Sequence, residues 1–282
     1  MKRVLVIGGL VLPALALMLV AFILPMLWLG RLSLDRSTGG GVLIEDVSVH
    51  NYLSFFQDPF YLSIMWRSLW MSVVVTVLSL FCSYPIALFL FRTRSCWRGV
   101  LAILTISPLL VSSVVRTFGW MVILGDTGLI NGLLRYLGVI DTPVPLMNNM
   151  LGVLIGLTEI EMPTMTLALM AGFSCLDTTL EEAARTLGAS PWRTLLRVTL
   201  PLSAPGIVIG CLITFVLVMS SFITPTLLGG GRIYVMATAI YQEALETLNW
   251  PLAATVSIIL IAVFGNDTTC TNTTSYGGCS PY

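Results

Sequence analysis

Two acidic residues and one arginine interrupt stretches of the chain that are otherwise strongly apolar. Glu159 and Glu161 lie within residues 151–173, and Arg116 lies within residues 99–124. A charged side chain at the centre of a bilayer costs about 2.5–3.5 kcal/mol on insertion scales, so it normally faces a cavity or an opposite charge. Residues two apart on an α-helix point about 200° apart, so the two carboxylates cannot share one face. We expect one acid to line a pathway and the other to pair with a cation such as Arg116, and the sequence leaves open which acid does which.

The chemistry that such a carboxylate offers is the attraction of a cation. Coulomb attraction strengthens as the effective dielectric constant falls, so an acid in a cavity within the membrane would favour a cationic solute. Arg116 opposes a simple cation path unless it is paired. The alternative is that both acids are structural, either paired or close to the outer surface.

The other residues that could do chemistry form no catalytic or metal-binding pattern. No stretch matches GxxxxGK[ST], the pattern that cradles the phosphates of ATP. The single histidine, His50, has no acidic or nucleophilic residue near it, and the six cysteines show no metal-ligand spacing. We therefore expect the chain not to be an enzyme and to bind no metal or cofactor itself.

The composition indicates an integral membrane protein. Of the 282 residues, 56% are hydrophobic and 10% are charged, which is too little charge to cover a soluble domain. The net charge is zero, so nothing indicates a nucleic-acid partner. Long apolar stretches predict an all-α fold with six membrane-spanning helices, at residues 4–29, 67–91, 99–124, 151–173, 206–228 and from 251 onward.

The basic residues predict which loops face the cytoplasm. Loops on one side of the membrane hold eight basic residues and loops on the other side hold four, and basic residues concentrate in cytoplasmic loops. The first group is Lys2, Arg3, Arg92, Arg94, Arg98, Arg185, Arg193 and Arg197, and the second is Arg31, Arg36, Arg135 and Arg232. We expect a multi-pass membrane protein with both termini in the cytoplasm.

Residues 177–204 form a long polar and basic stretch between two apolar blocks on the expected cytoplasmic side. Acidic residues followed by alanine and leucine predict a helix start, and Gly188 predicts its end or a sharp bend. Ser190 and Pro191 are typical of the cap and first residue of a second helix, which we expect to end before Leu200. The stretch is therefore predicted to form two short helices joined at a glycine.

The spacing within this stretch resembles the coupling loop of the membrane subunits of ATP-binding-cassette (ABC) importers. In that family's pattern, Glu-Ala-Ala is followed at fixed spacings by a glycine, an apolar residue and Leu-Pro. The corresponding residues here are Glu182, Ala183, Ala184, Gly188, Val198, Leu200 and Pro201, with Val198 where isoleucine is usual. The resemblance implies a type I ABC importer permease fold and a loop that docks into a cleft on a separate ATPase and passes its motion to the membrane helices.

The same resemblance implies that the chain lies in the bacterial cytoplasmic (inner) membrane, and it implies the partners of the chain. They are an ATP-binding-cassette ATPase dimer that holds the ATP and Mg²⁺, a second permease subunit, an extracytoplasmic solute-binding protein and the surrounding membrane lipid. A self-contained secondary transporter is the alternative class. It would need coupling-ion ligands or an internal repeat, and the sequence shows neither.

Further motifs resemble the permeases of polyamine (spermidine/putrescine) importers. They lie at residues 107–109 (SPL), 115–120 (VRTFGW), 124–131 (LGDTGLIN), 240–242 (IYQ) and 249–253 (NWPLA). The resemblance implies a polyamine cargo. The same subgroup also serves other small solutes, such as opines, organophosphonates and amino-acid-like compounds, which remain the alternative cargoes.

The end of the chain differs in composition from the rest. After residue 265 the sequence changes to polar residues without one basic side chain. We expect a single transmembrane domain at residues 1–265, a short last helix whose apolar part is residues 252–264, and a disordered polar tail at residues 266–282.

Overall fold

A computed structural model gives the fold of the chain. It describes residues 2–37, 41, 43–44, 47–93, 97–173, 176 and 178–272. The chain divides into two compact units, one formed by Met1–Ser63 with Ala239–Val263 and the other by Ile64–Thr238 with Phe264–Tyr282.

The first unit is built around the segment that follows helix α1 (Lys2–Leu32). Strand β1 (Arg36–Ser37) pairs antiparallel with strand β2 (Leu43–Ile44), and helix α2 (His50–Gln57) follows. The Asn51 amide donates to the backbone oxygens of Ser33 and Asp35 at 3.0 and 2.8 Å, which holds α2 against the end of α1. These polar contacts satisfy backbone oxygens just after the end of α1.

The last part of the chain completes the first unit. Helix α13 (Met236–Tyr241) leads into a π-helical turn (Gln242–Glu246), and helix α14 runs from Trp250 to Asn272. The Tyr61 hydroxyl donates to the Glu243 carboxylate at 2.7 Å, and the Thr255 hydroxyl donates to the Ser33 backbone oxygen at 3.2 Å.

The second unit contains the helices that carry the candidate site residues. After the long helix α3 (Pro59–Arg92) come α4 (Trp97–Ile106), α5 (Ser113–Leu124), α6 (Leu129–Tyr136) and α7 (Met150–Phe173). The chain then forms α8 (Thr178–Thr186), α9 (Pro191–Thr194), a π-helical turn (Leu195–Thr199) and α10 (Leu200–Leu202). Helices α11 (Ala204–Met219) and α12 (Ile223–Leu228) follow.

Helix α7 lies at the centre of the second unit and packs most closely against α11. A Cβ at Gly172 would overlap the backbone of Gly206, so only glycine allows the two helices to approach so closely. Such small-residue contacts are typical of helix pairs in membranes, where backbones approach closely. On another face of α7, the Ser83 hydroxyl of α3 donates to the Met162 backbone oxygen at 3.0 Å.

Several helices are long and apolar enough to cross a membrane, in agreement with the expected all-α membrane fold. Among the described residues there are four such segments: Leu15–Leu32, Pro59–Arg92, Ser113–Tyr136 and Met150–Phe173. A fifth is possible if Pro191–Leu202 and Ala204–Met219, bent by 66°, form one span, and the apolar part of the last helix, Trp250–Val263, is shorter. The number of six spans stays a prediction.

Two expected helices are each broken in the structure. The helix expected at residues 99–124 is divided by a 3₁₀ turn (Ser107–Leu110) and extended Val111, after which the Ser112 hydroxyl caps α5. Pro108 lies in this turn and lacks the N–H that would continue an α-helix. The helix expected at 206–228 ends at Met219, and α12 begins at Ile223.

The last helix is longer than expected. Helix α14 continues past residue 265 to Asn272, so the expected boundary at 265/266 falls inside a helix, and residues 266–272 are helical where a disordered tail was expected. Threonine and asparagine are weak helix formers but do not terminate a helix as proline does. The remainder of the expected tail, residues 273–282, lies outside the described residues.

Candidate functional site

The glycine turn expected between the two short helices is present. Helix α8 ends at Thr186, and Gly188 has φ +80°. The Ala189 N–H donates to the Ala184 oxygen at 3.1 Å and the Gly188 N–H donates to the Arg185 oxygen at 3.0 Å. These two bonds form the Schellman motif, in which a residue with positive φ closes a helix. The backbone at Gly188 therefore takes the conformation for which glycine is favoured.

The second short helix begins as expected but continues further. The Ser190 hydroxyl accepts a hydrogen bond from the Arg193 N–H at 3.4 Å, and Pro191 is the first helical residue. We expected this helix to end before Leu200, whereas the helical run continues through Pro201 to Leu202. The wider π-helical turn before Pro201 accommodates a residue that cannot donate a backbone hydrogen bond.

The π-helical turn also sets which side chains of this run are buried. Thr194, Thr199 and Ser203 are buried, at spacings of five and four residues. A purely α-helical run would rotate one of these hydroxyls away from the others, because five residues exceed one α-helical turn. The π-helical turn therefore keeps the hydroxyls of Thr194, Thr199 and Ser203 on one buried face of the run.

The tip of this loop exposes apolar and basic side chains together. Leu187 is 88% exposed and Trp192 is 67% exposed. Arg185, Arg193 and Arg197 are exposed as well. Large apolar side chains next to basic ones on one projecting loop are typical of a protein–protein contact. Leu187 and Trp192 were not among the site residues expected from the sequence, although a tryptophan in a polar turn was a visible signal.

The residues of the family pattern lie along the same loop. Glu182, Ala183, Gly188, Leu200 and Pro201 are exposed, and Ala184 and Val198 are half-buried. A Cβ placed on Gly188 would meet no atom within 4 Å, so the tip of the loop projects into open space.

A polar cluster at the base of the loop was not expected from the sequence. Arg92 Nη2, at the end of α3, donates to Glu181 Oε1 at 2.7 Å. The Thr199 hydroxyl donates to the same oxygen at 2.6 Å, and Arg92 Nη2 lies 3.3 Å from the Thr199 hydroxyl oxygen. The three side chains come from positions 92, 181 and 199, so no local sequence signal connects them.

The surroundings of Glu181 favour its charged form. Partial burial acts to raise the pKa of this carboxyl, but hydrogen bonds from Thr199 and Arg92 and the charges of Arg92 and Arg185 outweigh it. The net effect is a pKa below the ordinary value of glutamate. Glu181 is therefore an ionised acceptor at neutral pH.

An apolar cluster lies next to this polar cluster. Ala87, Met165, Leu169 and Phe173 are buried together at the end of α3 and α7. The Tyr84 ring packs edge-on against Phe173 with ring centres 5.6 Å apart, and the Tyr84 hydroxyl oxygen lies 3.3 Å from that of Ser203. The base of the loop is thus packed against α3 by both apolar and polar contacts.

Arg116 is paired, and its partner is Glu159. Arg116 Nη2 donates to Glu159 Oε1 at 2.8 Å and to the Glu159 backbone oxygen at 2.8 Å. Trp120 Nε1 donates to the other carboxylate oxygen, Oε2, at 3.0 Å. Arg116 Nη1 also lies 3.4 Å from the Ile160 oxygen. The pair joins α5 to α7 beside the break in the third apolar stretch.

The two acids differ in their access to open space. The Glu159 side chain is 35% exposed, and it lines a cavity of about 210 Å³ with Ile86, Leu104, Thr105, Pro108, Met162, Pro163 and Thr166. Glu161 is 8% exposed and does not line this cavity. Among the residues that the structure describes, Glu161 accepts no hydrogen bond. Glu159 is thus the acid that pairs with Arg116, and it also faces the cavity. Which acid lines a transport pathway stays a prediction.

No metal site accompanies these charges in the described part of the chain. None of its groups of histidine, cysteine, aspartate and glutamate contains three side chains placed to hold a metal ion.

The family match identifies the class of protein. Residues 65–266 match the family of binding-protein-dependent transport system inner membrane components, and the chain belongs to this family. As such a component it is a multi-pass inner-membrane subunit of an ABC importer, and not itself an enzyme, since ATP is hydrolysed by a separate subunit.

Known relatives carry names that refer to polyamine transport. The chain is 34% identical over 241 residues to the spermidine/putrescine transport system permease protein PotB of Haemophilus influenzae, covering 85% of this chain and 84% of that protein. It is also 34% identical over 249 residues to the protein of the same name from Escherichia coli K12, covering 88% and 90%.

A solved structure supports the fold. The chain is similar to a chain of the bacterial alginate ABC transporter in complex with an alginate pentasaccharide-bound periplasmic protein, with a TM-score of 0.81 and 18% sequence identity. The match covers 98% of this chain and 95% of that one. The expected type I importer permease fold is therefore confirmed.

Proposed function

We propose that this chain forms half of the translocation pathway of an ABC importer for polyamines such as spermidine and putrescine. The observation that carries the cargo assignment is the 34% identity to two spermidine/putrescine permeases over at least 84% of each protein. The expected partners are an ATPase dimer that holds ATP and Mg²⁺, a second permease subunit and an extracytoplasmic solute-binding protein. This chain is expected to bind no cofactor.

We propose that the loop at residues 177–204 couples the ATPase to the membrane helices. The exposure of Leu187 and Trp192 supports this role, because both side chains would be buried in a complex. The Glu-Ala-Ala segment leads directly into the projecting tip at Gly188. The expected orientation, with both termini and this loop in the cytoplasm, places the tip where an ATPase could reach it.

For the pathway we propose Glu159 rather than Glu161. Glu159 faces a cavity, and the bonds from Arg116 and Trp120 hold its carboxylate in one orientation. Because Arg116 offsets its charge, the site would attract an ammonium group only weakly. A transport pathway needs such weak binding, since the cargo must leave as well as enter. The buried Glu161 is proposed to be structural.

Uptake of labelled putrescine and spermidine tests the cargo. The assembled importer is placed in membrane vesicles, and an opine, an organophosphonate and an amino acid are added as competitors. Uptake that requires ATP and that only polyamines inhibit supports the proposal. If labelled polyamines are not taken up, but one of the other solutes, when labelled instead, is taken up in an ATP-dependent way, the importer carries that solute.

The same assay separates the two acids. Glu159→Gln is expected to lower polyamine uptake per assembled subunit, whereas Glu161→Gln is expected to leave it unchanged. Equal uptake in both variants would show that Glu159 does not line the pathway.

A further inference from the structure

The polar cluster of Arg92, Glu181 and Thr199 connects three parts of the chain that are distant in sequence. Glu181 lies in the first turn of α8, Thr199 ends the π-helical turn and Arg92 ends α3. One carboxylate oxygen of Glu181 accepts hydrogen bonds from both other side chains, at 2.7 and 2.6 Å. The entry and the exit of the loop are thereby held together and tied to one membrane helix.

Charge strengthens these contacts. A hydrogen bond with an ionised donor and an ionised acceptor is roughly twice as strong as a neutral one. The Glu181 side chain is 14% exposed, so water competes only weakly for its oxygens. The neighbouring Glu182, in contrast, is exposed. Of two adjacent glutamates, one is built into the base of the loop and the other is left accessible.

A second contact joins α3 to the segment that leads from the loop into α11. Tyr84 lies eight residues before Arg92 on the same helix, about two turns away, and its hydroxyl oxygen lies 3.3 Å from that of Ser203. Ser203 follows Thr199 by four residues, about one turn. Two residues of α3 therefore contact two residues on one face of the segment that leads from the loop into α11.

We propose that Arg92 and Glu181 are positioning residues that transmit movement of the loop to α3. The inference rests on the proposed function of the loop at 177–204. A force applied at the tip near Gly188 would tilt α8 about its base. With the Arg92–Glu181 pair intact, the base cannot move without the end of α3. Without the pair, α8 can move while α3 stays in place, and ATP hydrolysis then loses its effect on the pathway.

The test compares transport with ATP hydrolysis in the reconstituted importer. Glu181→Gln and Arg92→Gln remove the ion pair, and Arg92→Lys keeps the charge. The matched control is Arg98→Gln, because Arg98 is an exposed arginine near the same end of the membrane helices with no role in this cluster. In proteoliposomes, solute transported per ATP hydrolysed is expected to fall at least about fivefold in the two glutamine variants, the low end of typical coupling energies. It is expected to recover in part in Arg92→Lys and to stay unchanged in Arg98→Gln.

Two further variants keep the test decisive. If Glu181→Gln assembles poorly, Thr199→Val removes the two hydrogen bonds of the Thr199 hydroxyl to Glu181 and Arg92 and leaves the ion pair, and a smaller loss of coupling is expected. The exchange Arg92→Glu with Glu181→Arg restores a pair of opposite charges and is expected to recover coupling relative to either single change. Coupling within twofold of the native value in all the pair-breaking variants, or an equal loss in Arg98→Gln, would overturn the proposal.

A crosslink distinguishes failure of this inference from failure of the proposed function. An Ala184→Cys crosslink to the ATPase is measured in the Glu181→Gln background and in the native one. A crosslink in both, with native coupling in Glu181→Gln, contradicts only the role of the ion pair. No crosslink in either contradicts the role of the loop itself.

Discussion

At the scale of single residues, the buried charge of Arg116 forms an ion pair with Glu159. The Arg116 side chain is 10% exposed and Glu159 supplies the opposing charge. Removing one partner of a buried pair is costly because the other charge is left uncompensated. Solvent reaches the Glu159 side chain, which is 35% exposed, and this screening lowers the cost.

We expect Glu159→Gln to lower the free energy of unfolding by about 1–3 kcal/mol. Thermal unfolding of the purified importer in detergent measures this change. Arg116→Met combined with Glu159→Gln should recover part of the loss, since the uncompensated charge of Arg116 is then removed. Glu161→Gln is the control and should have a smaller effect. A loss in Glu161→Gln as large as that in Glu159→Gln would contradict the pairing.

The lowered pKa of the Glu181 carboxyl predicts that the stability of the protein depends on pH. Its pKa in the folded protein lies below the ordinary value of about 4.3 for glutamate. The stability contributed by its ionised form is therefore fully present above that ordinary value, and is lost as the pH falls through the lower folded value.

The comparison that shows this effect is native protein against Glu181→Gln. At pH 6–7 the native importer should be the more stable of the two in thermal unfolding. The difference should shrink steadily as the pH falls below about 4, where protonation removes the charge from native Glu181. A difference that does not change between pH 7 and pH 3 would show that ionisation of Glu181 contributes nothing.

At the scale of helices and turns, the Schellman motif at Gly188 predicts which substitutions the loop tolerates. Gly188 has φ +80° and open space around it, so a substitution acts through the backbone alone. Asparagine adopts positive φ more readily than a β-branched residue does.

We expect Gly188→Val to lower transport per ATP hydrolysed, because α8 can no longer close in the same geometry. The strain is expected to be about 1–3 kcal/mol. Gly188→Asn should have a clearly smaller effect in the same proteoliposome assay. If both substitutions had the same effect, side-chain contacts with the partner, and not backbone conformation, would explain the glycine.

The close approach of α7 and α11 predicts a second effect at this scale. A methyl group at Gly172 would overlap the backbone of Gly206, and backbone cannot move aside as a flexible side chain can. Gly172→Ala should therefore lower the midpoint of thermal unfolding by several degrees, for a cost of roughly 1–3 kcal/mol. Gly119→Ala is the matched control, because a Cβ at helical Gly119 meets no atom within 4 Å. An equal change in both variants would contradict the close packing.

At the scale of the whole molecule, the features that followed from the sequence are those set by neighbouring residues. Gly188, Ser190 and Pro191 predicted the turn and the second helix start because caps depend on a few adjacent residues. Apolar stretches predicted α1 and α7 to within three positions at each end. The family pattern, with fixed residues from Glu182 to Pro201, predicted the class of transport subunit that the family match confirms.

The features that could not be predicted from the sequence depend on residues that are distant from one another in the chain. Arg92 and Glu181 are 89 positions apart, and each alone is an ordinary charged residue at a helix end. The contacts of Glu159 depend on α5, which begins only after the break around Pro108. The sequence contained that proline, but proline also occurs within the intact helices α3 and α7, so its presence alone did not predict a break.

The central claim for the whole molecule is that the loop at 177–204 joins this subunit to a separate ATPase. A cysteine placed at Ala184, in an assembled importer that still transports solute, tests it most directly. The control is Asn149→Cys, an exposed position in a loop expected on the opposite side of the membrane. If the loop contacts the ATPase, we expect a crosslink between Ala184→Cys and the ATPase subunit, and none from Asn149→Cys. Absence of any crosslink from Ala184→Cys in a transporting complex would contradict it.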